Sequence, residues 1–367
     1  MGDLETRLMN SCRTFVEQQL FKDKLRFVVY FFSPSLLNQR KRFKKKAYND
    51  CSELTEIALK IENSKGYLIK DKLRSIVDDF LFCKKYGRFP QFKPVSAEVV
   101  IVVIGRNEGC YLDEWITYYK MIGVDHIYYL DNNSTDNTKE VLKKYIESGF
   151  VTYMFLNGEK AQLPGYRYVT RKIKKCTKWI AFLDADEFLY TKEEPLKEFL
   201  SHYEKYPGIA VNWVVYGPCG HETRPDGFVI ENYTSTFSDR DNVLNLRVKT
   251  IAQPKKIWDI KSPHYAIYNK NQLAVDENMK PVDGSKMLVP GAGRANTEHN
   301  SIEKIRINHY WTKSLEELRQ KCDRGYAAGN FEPQYNSILA RLDYPLMEDS
   351  ELAERCRNMF EEHDKRV

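Results

Sequence analysis

The sequence predicts an α/β domain on a largely parallel sheet, with a helical extension before it. Three observations predict this. Short apolar runs and amphipathic stretches alternate five times between residues 99 and 215, the pattern of strand–helix units whose strands run the same way. The first run, Val99–Ile104, is apolar at every position, as befits a strand covered on both faces. Gly123 and Gly149 stand where two of the helices must stop, and glycine tolerates the left-handed turn that stops them.

Taken in order, residues 52–86 place Leu54, Ile57, Ala58 and Ile61, then Leu73, Ile76, Val77, Phe80 and Leu81, at helical spacing. Pro90 and Pro94 in RFPQFKPVS break that pattern. This sets the organisation: a basic helical extension over 1–94, the α/β domain over 95–328, and a helical segment over 329–367. After Val99–Ile104 comes a helix with Leu112, Trp115, Ile116, Tyr119 and Ile122 on one face, ending at Gly123. His126–Leu130 is the second strand, and DNNSTD (131–136) turns into a helix that runs to Ile146. Val151–Phe155 is a strand, Tyr166–Cys176 a helix, Trp179–Leu183 a strand, Pro195–Tyr203 a helix and Ile209–Val215 a strand. Beyond Gly217 the alternation stops, and helical patterns return at Ser314–Arg324 and Ser350–His363.

Composition narrows the class. The 367 residues carry a net charge of +6, with 42% hydrophobic and 29% charged residues, a globular balance. The charge is uneven. Between Lys22 and Lys46 stand nine Lys or Arg against one acid, Asp23. Phe27, Tyr30, Phe31, Phe32 and Phe43 lie among them, as in a helix resting on an anionic membrane surface. A nucleic-acid partner is not expected. The eight cysteines are scattered, the nearest two 27 residues apart, which excludes zinc spacings and fits a reducing compartment. The polar start and the absence of a long apolar run lead us to expect a cytoplasmic protein, peripheral on the inner face of the membrane. The 13% aromatic content suits an aromatic core more readily than sugar stacking.

Ligands of parallel α/β sheets bind at the carboxyl ends of the strands. Those ends read RNEG (106–109), DNNSTD (131–136) and DADE (184–187). RNEG is neither the GxGxxG of a dinucleotide site nor a P-loop, and it is too short and acidic for a nucleotidyltransferase loop. Asp184 and Asp186 are two apart after an apolar strand. On an extended backbone both would face one hard cation, Mn²⁺ or Mg²⁺, which could neutralise a departing nucleotide diphosphate. Asp136 is the better helix cap, leaving Asp131 to accept from a ribose hydroxyl or a base N–H.

The order RNEGCYLDEWITYYKMIGVDHIYYLDNNSTDNT, KWIAFLDADEFL, NWVVYGPCGH and INHYWTKSLEELRQKCDRG, over about residues 98–328, resembles the glycosyltransferases of family 92 and their relatives in family 2. The resemblance implies a glycosyltransferase A type fold: a Rossmann-like, mostly parallel sheet with flanking helices, continuous with an acceptor-binding half. It implies Arg106, Asn107, Glu108 and Asp131 lining a nucleotide crevice, and Asp184 and Asp186 as metal and ribose-diphosphate carboxylates. His309 and Lys313 resemble a pattern in which His binds the metal and Lys the diphosphate, with His264 as the rival ligand. Glu231, after Phe228–Ile230, is the expected general base of an inverting reaction, ahead of Asp239, Asp241 and His221. The expected donor is UDP-galactose or UDP-glucose, and the expected acceptor a glycan or lipid-linked saccharide of a cell-surface polysaccharide. The alternative is a non-catalytic sugar-nucleotide-binding or scaffold protein of the same descent.

Overall fold

The computed structural model describes residues 65–89, 92–269, 272–282, 296–324, 335–342 and 345–364. The basic segment 22–46 and the helical pattern over 52–64 lie outside the described residues. The chain forms two compact units, Met1–Asp78 and Asp79–Val367. The expected α/β class is the class observed.

The first described helix, α1 (Lys65–Tyr86), packs through Phe82 and Tyr86, whereas Phe80 and Leu81 of the expected apolar set are exposed. Asp79 explains the choice of face: it pairs with Arg171 and Lys172. The parallel half of the sheet follows, with β1 (Ala97–Gly105), β2 (His126–Asp131), β3 (Val151–Phe155) and β4 (Thr177–Asp184) in the order β3-β2-β1-β4. Helices α2 (Gly109–Met121), α3 (Thr138–Glu147) and α4 (Gln162–Ile173) make the crossovers. Strand β1 is buried on both faces: Val99, Ile101 and Val103 join Trp115, Ile116 and Tyr119 of α2, while Val100, Val102 and Ile104 join Tyr166, Val169 and Ile173 of α4. That is why its sequence does not alternate.

The second half is mixed. Strand β5 (Glu187–Thr191), absent from the sequence reading, is followed by the short helix α5 (Leu196–Ser201) and β6 (Gly208–Val215). After α6 (Val229–Asn232) and β7 (Ser235–Phe237), β8 (Val248–Ala252) inserts antiparallel between β4 and β6. The strands β9 (Ile257–Ile260) and β10 (Ala266–Tyr268) form a separate hairpin, and β11 (Ala274–Val275) and β12 (Pro281–Val282) extend the main sheet. Strand β13 (Ile305–His309) pairs parallel with β6 and antiparallel with β5. The sheet is thus continuous, parallel over β3-β2-β1-β4 and mixed beyond β4, the mostly parallel sheet expected.

Helices α7 (Leu315–Arg324) and α8 (Tyr335–Leu342), strand β14 (Leu346–Glu348) and helix α9 (Glu351–Asp364) complete the chain. The segment after 328 was expected as a helical segment of its own. It is stitched to the α/β unit instead, with β14 pairing with β7 and the buried Arg306 bound to Asp349 at 2.8 and 3.0 Å. Most of the aromatic surplus is core: Tyr118, Tyr119, Tyr128, Tyr129, Tyr166, Tyr203, Tyr216, Tyr233 and Tyr268 are fully buried. Among the described residues no helix is long and apolar enough to cross a membrane.

Candidate active site

The parallel strands end side by side, with Ile104 beside Asp184 and Gly105 beside Asp131. The loops they feed are stitched together. Asn107, at φ 58°, donates its backbone N–H to Ser134 Oγ (2.9 Å) and accepts Thr135 N–H on Oδ1 (2.7 Å). Asp136 caps two helices at once, accepting Gly109 N–H of α2 (2.9 Å) and Thr138 N–H of α3 (3.1 Å). Carboxylates are favoured at helix N-termini, and Asp136 serves both. The approach is so close that a Cβ on Gly109 would lie 2.3 Å from Asn137 Oδ1 and 2.8 Å from Thr138 N. The glycine of RNEG is therefore a packing glycine.

Asp131 departs from expectation. It is buried, accepting Ser134 N–H on Oδ1 (2.8 Å) and the Tyr153 hydroxyl on Oδ2 (2.7 Å). Its carboxylate is committed to shaping the turn rather than presented to a ligand. Arg106 is exposed at the end of β1.

Asp184 is the last residue of β4 and Glu187 the first of β5, so Asp186 sits in a turn. The expected extended backbone through both aspartates is thus absent, and the two carboxylates meet different cations. Asp184 Oδ2 accepts from the Lys249 ammonium at 2.7 Å, and Oδ1 faces Gln162 Nε2 at 3.4 Å. Gln162 arrives because α4 starts four positions earlier than expected, at Gln162 rather than Tyr166. Lys249, on β8, has a fully buried side chain and also lies 3.4 Å from Glu187. The antiparallel pairing of Ile251 with Ala181 carries Lys249 back toward the end of β4. Burial would strip its charge, but Asp184 and then Glu187 hold it, so its pKa rises. Burial pushes the Glu187 carboxyl far up, against the pull of Lys249. Its Oε2 accepts Asp184 N–H at 2.8 Å. Its carbonyl accepts from Trp115 Nε1 and the Tyr119 hydroxyl, each at 2.8 Å, so the aromatic face of α2 anchors the DADE turn.

Asp186 is buried between Lys321 of α7 (Nζ–Oδ2 2.7 Å) and His309 of β13 (Nε2–Oδ1 3.4 Å). Burial alone would raise its pKa, but Lys321, His309 and Lys313 hold the carboxyl well below its ordinary range. Strand register delivers His309: it lies opposite Glu187, and Tyr310 N–H donates to Asp186 O at 2.9 Å. Burial pushes the imidazole down against the pull of Asp186, which keeps it neutral. Lys313, at φ 52°, places its ammonium 3.4 Å from Glu108 Oε2 and 3.8 Å from the Tyr111 ring centre. Asp186 thus meets His309 and Lys321, Asp184 meets Lys249, and Lys313 meets Glu108. Lys249 and Lys321 were not foreseen.

The donor chemistry at Asp186 suits a hard divalent cation: a carboxylate, a neutral imidazole, and an ammonium already standing where a cation would. Asp184 has one oxygen tied to Lys249. Among the described residues no three His, Cys, Asp or Glu side chains converge as a closed cage; Asp186 and His309, 3.4 Å apart, could supply two ligands to a cation. The rival, His264, is half-buried, with Nδ1 3.2 Å from Val248 O and its ring edge-on against Trp213, a packed position.

Glu231 is exposed on α6. It acts electrostatically on Glu114 and Cys356, and no contact joins it to the aspartates. The buried neighbour Glu114 is the better-placed acid for structure, accepting the N–H groups of Val229 (2.8 Å) and Ile230 (3.1 Å) at the start of α6. Burial pushes its carboxyl up to about 7, against both hydrogen bonds, from an ordinary 4.5. A folded-state pKa raised in this way gives a contribution complete below pH 4.5 and lost as pH rises to about 7, worth roughly 3 kcal/mol. Stability measured by thermal melting should fall across that window, and Glu114→Gln should flatten the fall. Asp239 Oδ1 caps Asp241 N–H, Asp241 binds His299 and Asn300, and His221 Nε2 faces Asn232 O. These candidate bases are engaged in loop structure.

The sequence model of glycosyltransferase family 92 matches residues 107–287. Over that range the chain is similar to the glycosyltransferases of family 92. A family 92 protein of Oryza sativa subsp. japonica, Os08g0121900, is 30% identical over 221 residues, 59% of this chain and 33% of that protein. A family 92 protein of Ricinus communis, RCOM_0530710, is 26% identical over 166 residues, 44% of this chain and 29% of that protein. The chain thus spans about a third of the length of these relatives. Among solved structures, S. aureus TarS aligns with 16% identity and a TM-score of 0.32 over 66% of this chain and 42% of TarS. The range matched by family 92 contains Asp184, Asp186 and Lys249. His309, Lys313 and Lys321 lie beyond it and are brought to the aspartates by β13 and α7.

Proposed function

We propose that this chain is a glycosyltransferase that moves a hexose from a UDP-sugar to a hydroxyl of a glycan or lipid-linked saccharide, with inversion at the anomeric carbon. The observation that carries this reading is a pair of carboxylates at the carboxyl edge of the parallel strands, Asp184 and Asp186, each matched by an ammonium, with Lys313 alongside. Similarity to family 92 supports the same class. The resemblance read from the sequence favours UDP-galactose or UDP-glucose as donor. The basic, aromatic-rich segment 22–46 supports work at an anionic membrane surface.

In such a transfer the acceptor oxygen forms a bond to the anomeric carbon, the bond from that carbon to the diphosphate breaks, and the acceptor's proton passes to a carboxylate base, the role the sequence reading gives to Glu231. Negative charge builds on the departing diphosphate, so preorganised cations lower the barrier. Lys313 is preorganised: Glu108 and the Tyr111 ring fix its ammonium before any ligand arrives. Asp186 and His309 would hold Mn²⁺ or Mg²⁺, which supplies further positive charge against the leaving group. Lys249 fixes one oxygen of Asp184, and Gln162 Nε2 faces the other at 3.4 Å. The test is a donor panel: UDP-galactose, UDP-glucose, a GDP-sugar and a CMP-sugar, each with and without Mn²⁺. Release of UDP from a UDP-hexose, dependent on Mn²⁺, is the expected result. No release from any donor would overturn the proposal.

A further inference from the structure

We propose that Lys321 is a hand-over cation: it neutralises Asp186 in the ligand-free protein and transfers its ammonium to the diphosphate when a sugar nucleotide enters with a divalent ion. The inference rests on the reading of the site given above and adds a ligand-binding residue to it. The ammonium lies 2.7 Å from Asp186 Oδ2 and 2.9 Å from Trp311 O. This contact spans 135 residues, so it is made by the fold and not by local sequence.

The helix that carries Lys321 is fixed at its start. Ser314 and Glu317 form a reciprocal capping pair, with Ser314 N–H and Oγ on Glu317 Oε2 at 3.1 and 2.7 Å and Glu317 N–H on Ser314 Oγ at 3.3 Å. Leu315 N–H and Glu316 N–H bind the carbonyls of His221 and Glu222, and Glu317 is bound by the Tyr111 hydroxyl. The helix start is thus held, while the lysine head swings on a flexible four-carbon stem. A divalent ion approaching Asp186 meets a carboxylate oxygen already taken by the Lys321 ammonium at 2.7 Å, so binding requires the ammonium to leave. A diphosphate arriving at that moment offers it a stronger partner nearby. Lys313 is already engaged by Glu108 and the Tyr111 ring, and its contact is with them rather than with Asp186 Oδ2.

The test separates the two halves of the hand-over in the full chain. Calorimetry would measure Mn²⁺ binding without nucleotide, and UDP binding at saturating Mn²⁺, for the wild type, Lys321→Met and Lys321→Arg. Loss of one charge-assisted contact should shift each affinity by about tenfold or more. Lys321→Met should bind Mn²⁺ more tightly and UDP more weakly; Lys321→Arg should stay near the wild type in both. A residue that merely supports the fold would lower both affinities together. That outcome, or no change in either, overturns the hand-over while leaving the site reading intact. A wild type that binds neither Mn²⁺ nor UDP overturns the site reading and the hand-over with it.

Discussion

Lys249→Ala is expected to lower the stability of the α/β unit by about 3–5 kcal/mol, the cost of removing one partner from a buried ion pair. The reason lies in where the charges sit. Lys249 is fully buried between Asp184 at 2.7 Å and Glu187 at 3.4 Å. Without it Asp184 loses its counter-ion, and Glu187 keeps an Oε1 that already has no hydrogen-bond partner. The DADE turn hangs on the same groups, because Glu187 Oε2 holds Asp184 N–H. Equilibrium urea denaturation measures the loss. The double change Lys249→Met with Asp184→Asn should cost less than the sum of the single changes, since it removes both charges together. Additive costs would mean that the pair is not coupled.

Asp186→Asn is expected to lower turnover by about 10²–10³-fold, comparable with removing one preorganised electrostatic partner in other enzymes. The amide keeps the shape of the carboxylate and removes its charge, leaving Lys321 without its counter-ion and any divalent cation without its main ligand. The thermal midpoint should fall less than for Lys249→Ala, because the cation left unpaired, Lys321, is partly exposed whereas Lys249 sits in a fully buried pair. Rates of UDP release from a UDP-hexose give the reading. A scaffold that has lost catalysis would show no turnover to lose, and its partner binding would survive the change.

The parallel half was legible because its strands are covered on both faces. Val99–Ile104 and His126–Leu130 form strands buried at every position, and the glycines at 123 and 149 stop the helices at φ 90° and 77°. Strands β5 and β13 were not legible. EFLYT follows directly on an acidic turn, and β13 fits between β5 and β6 only through pairings more than 90 residues apart in sequence. At the site, the residues found by motif were those at strand ends. Lys249 and Lys321 escaped notice because their partners are 65 and 135 residues away, leaving no local periodicity. One signal existed for Lys249: a lysine within the otherwise largely apolar strand VKTIA must be paired if it is buried. Asp131 was misread for the opposite reason. It has the position of a ligand residue, but a turn N–H and the Tyr153 hydroxyl claim its two oxygens.

The central claim is that the crevice around Asp184 and Asp186 binds a nucleotide diphosphate. Titration of UDP into the full chain in Mn²⁺, with wild type and Asp186→Asn side by side, tests it most directly. Saturable binding to the wild type and loss of that binding in Asp186→Asn is the predicted result. Equal binding by both proteins, or none by the wild type in any divalent metal, would contradict it.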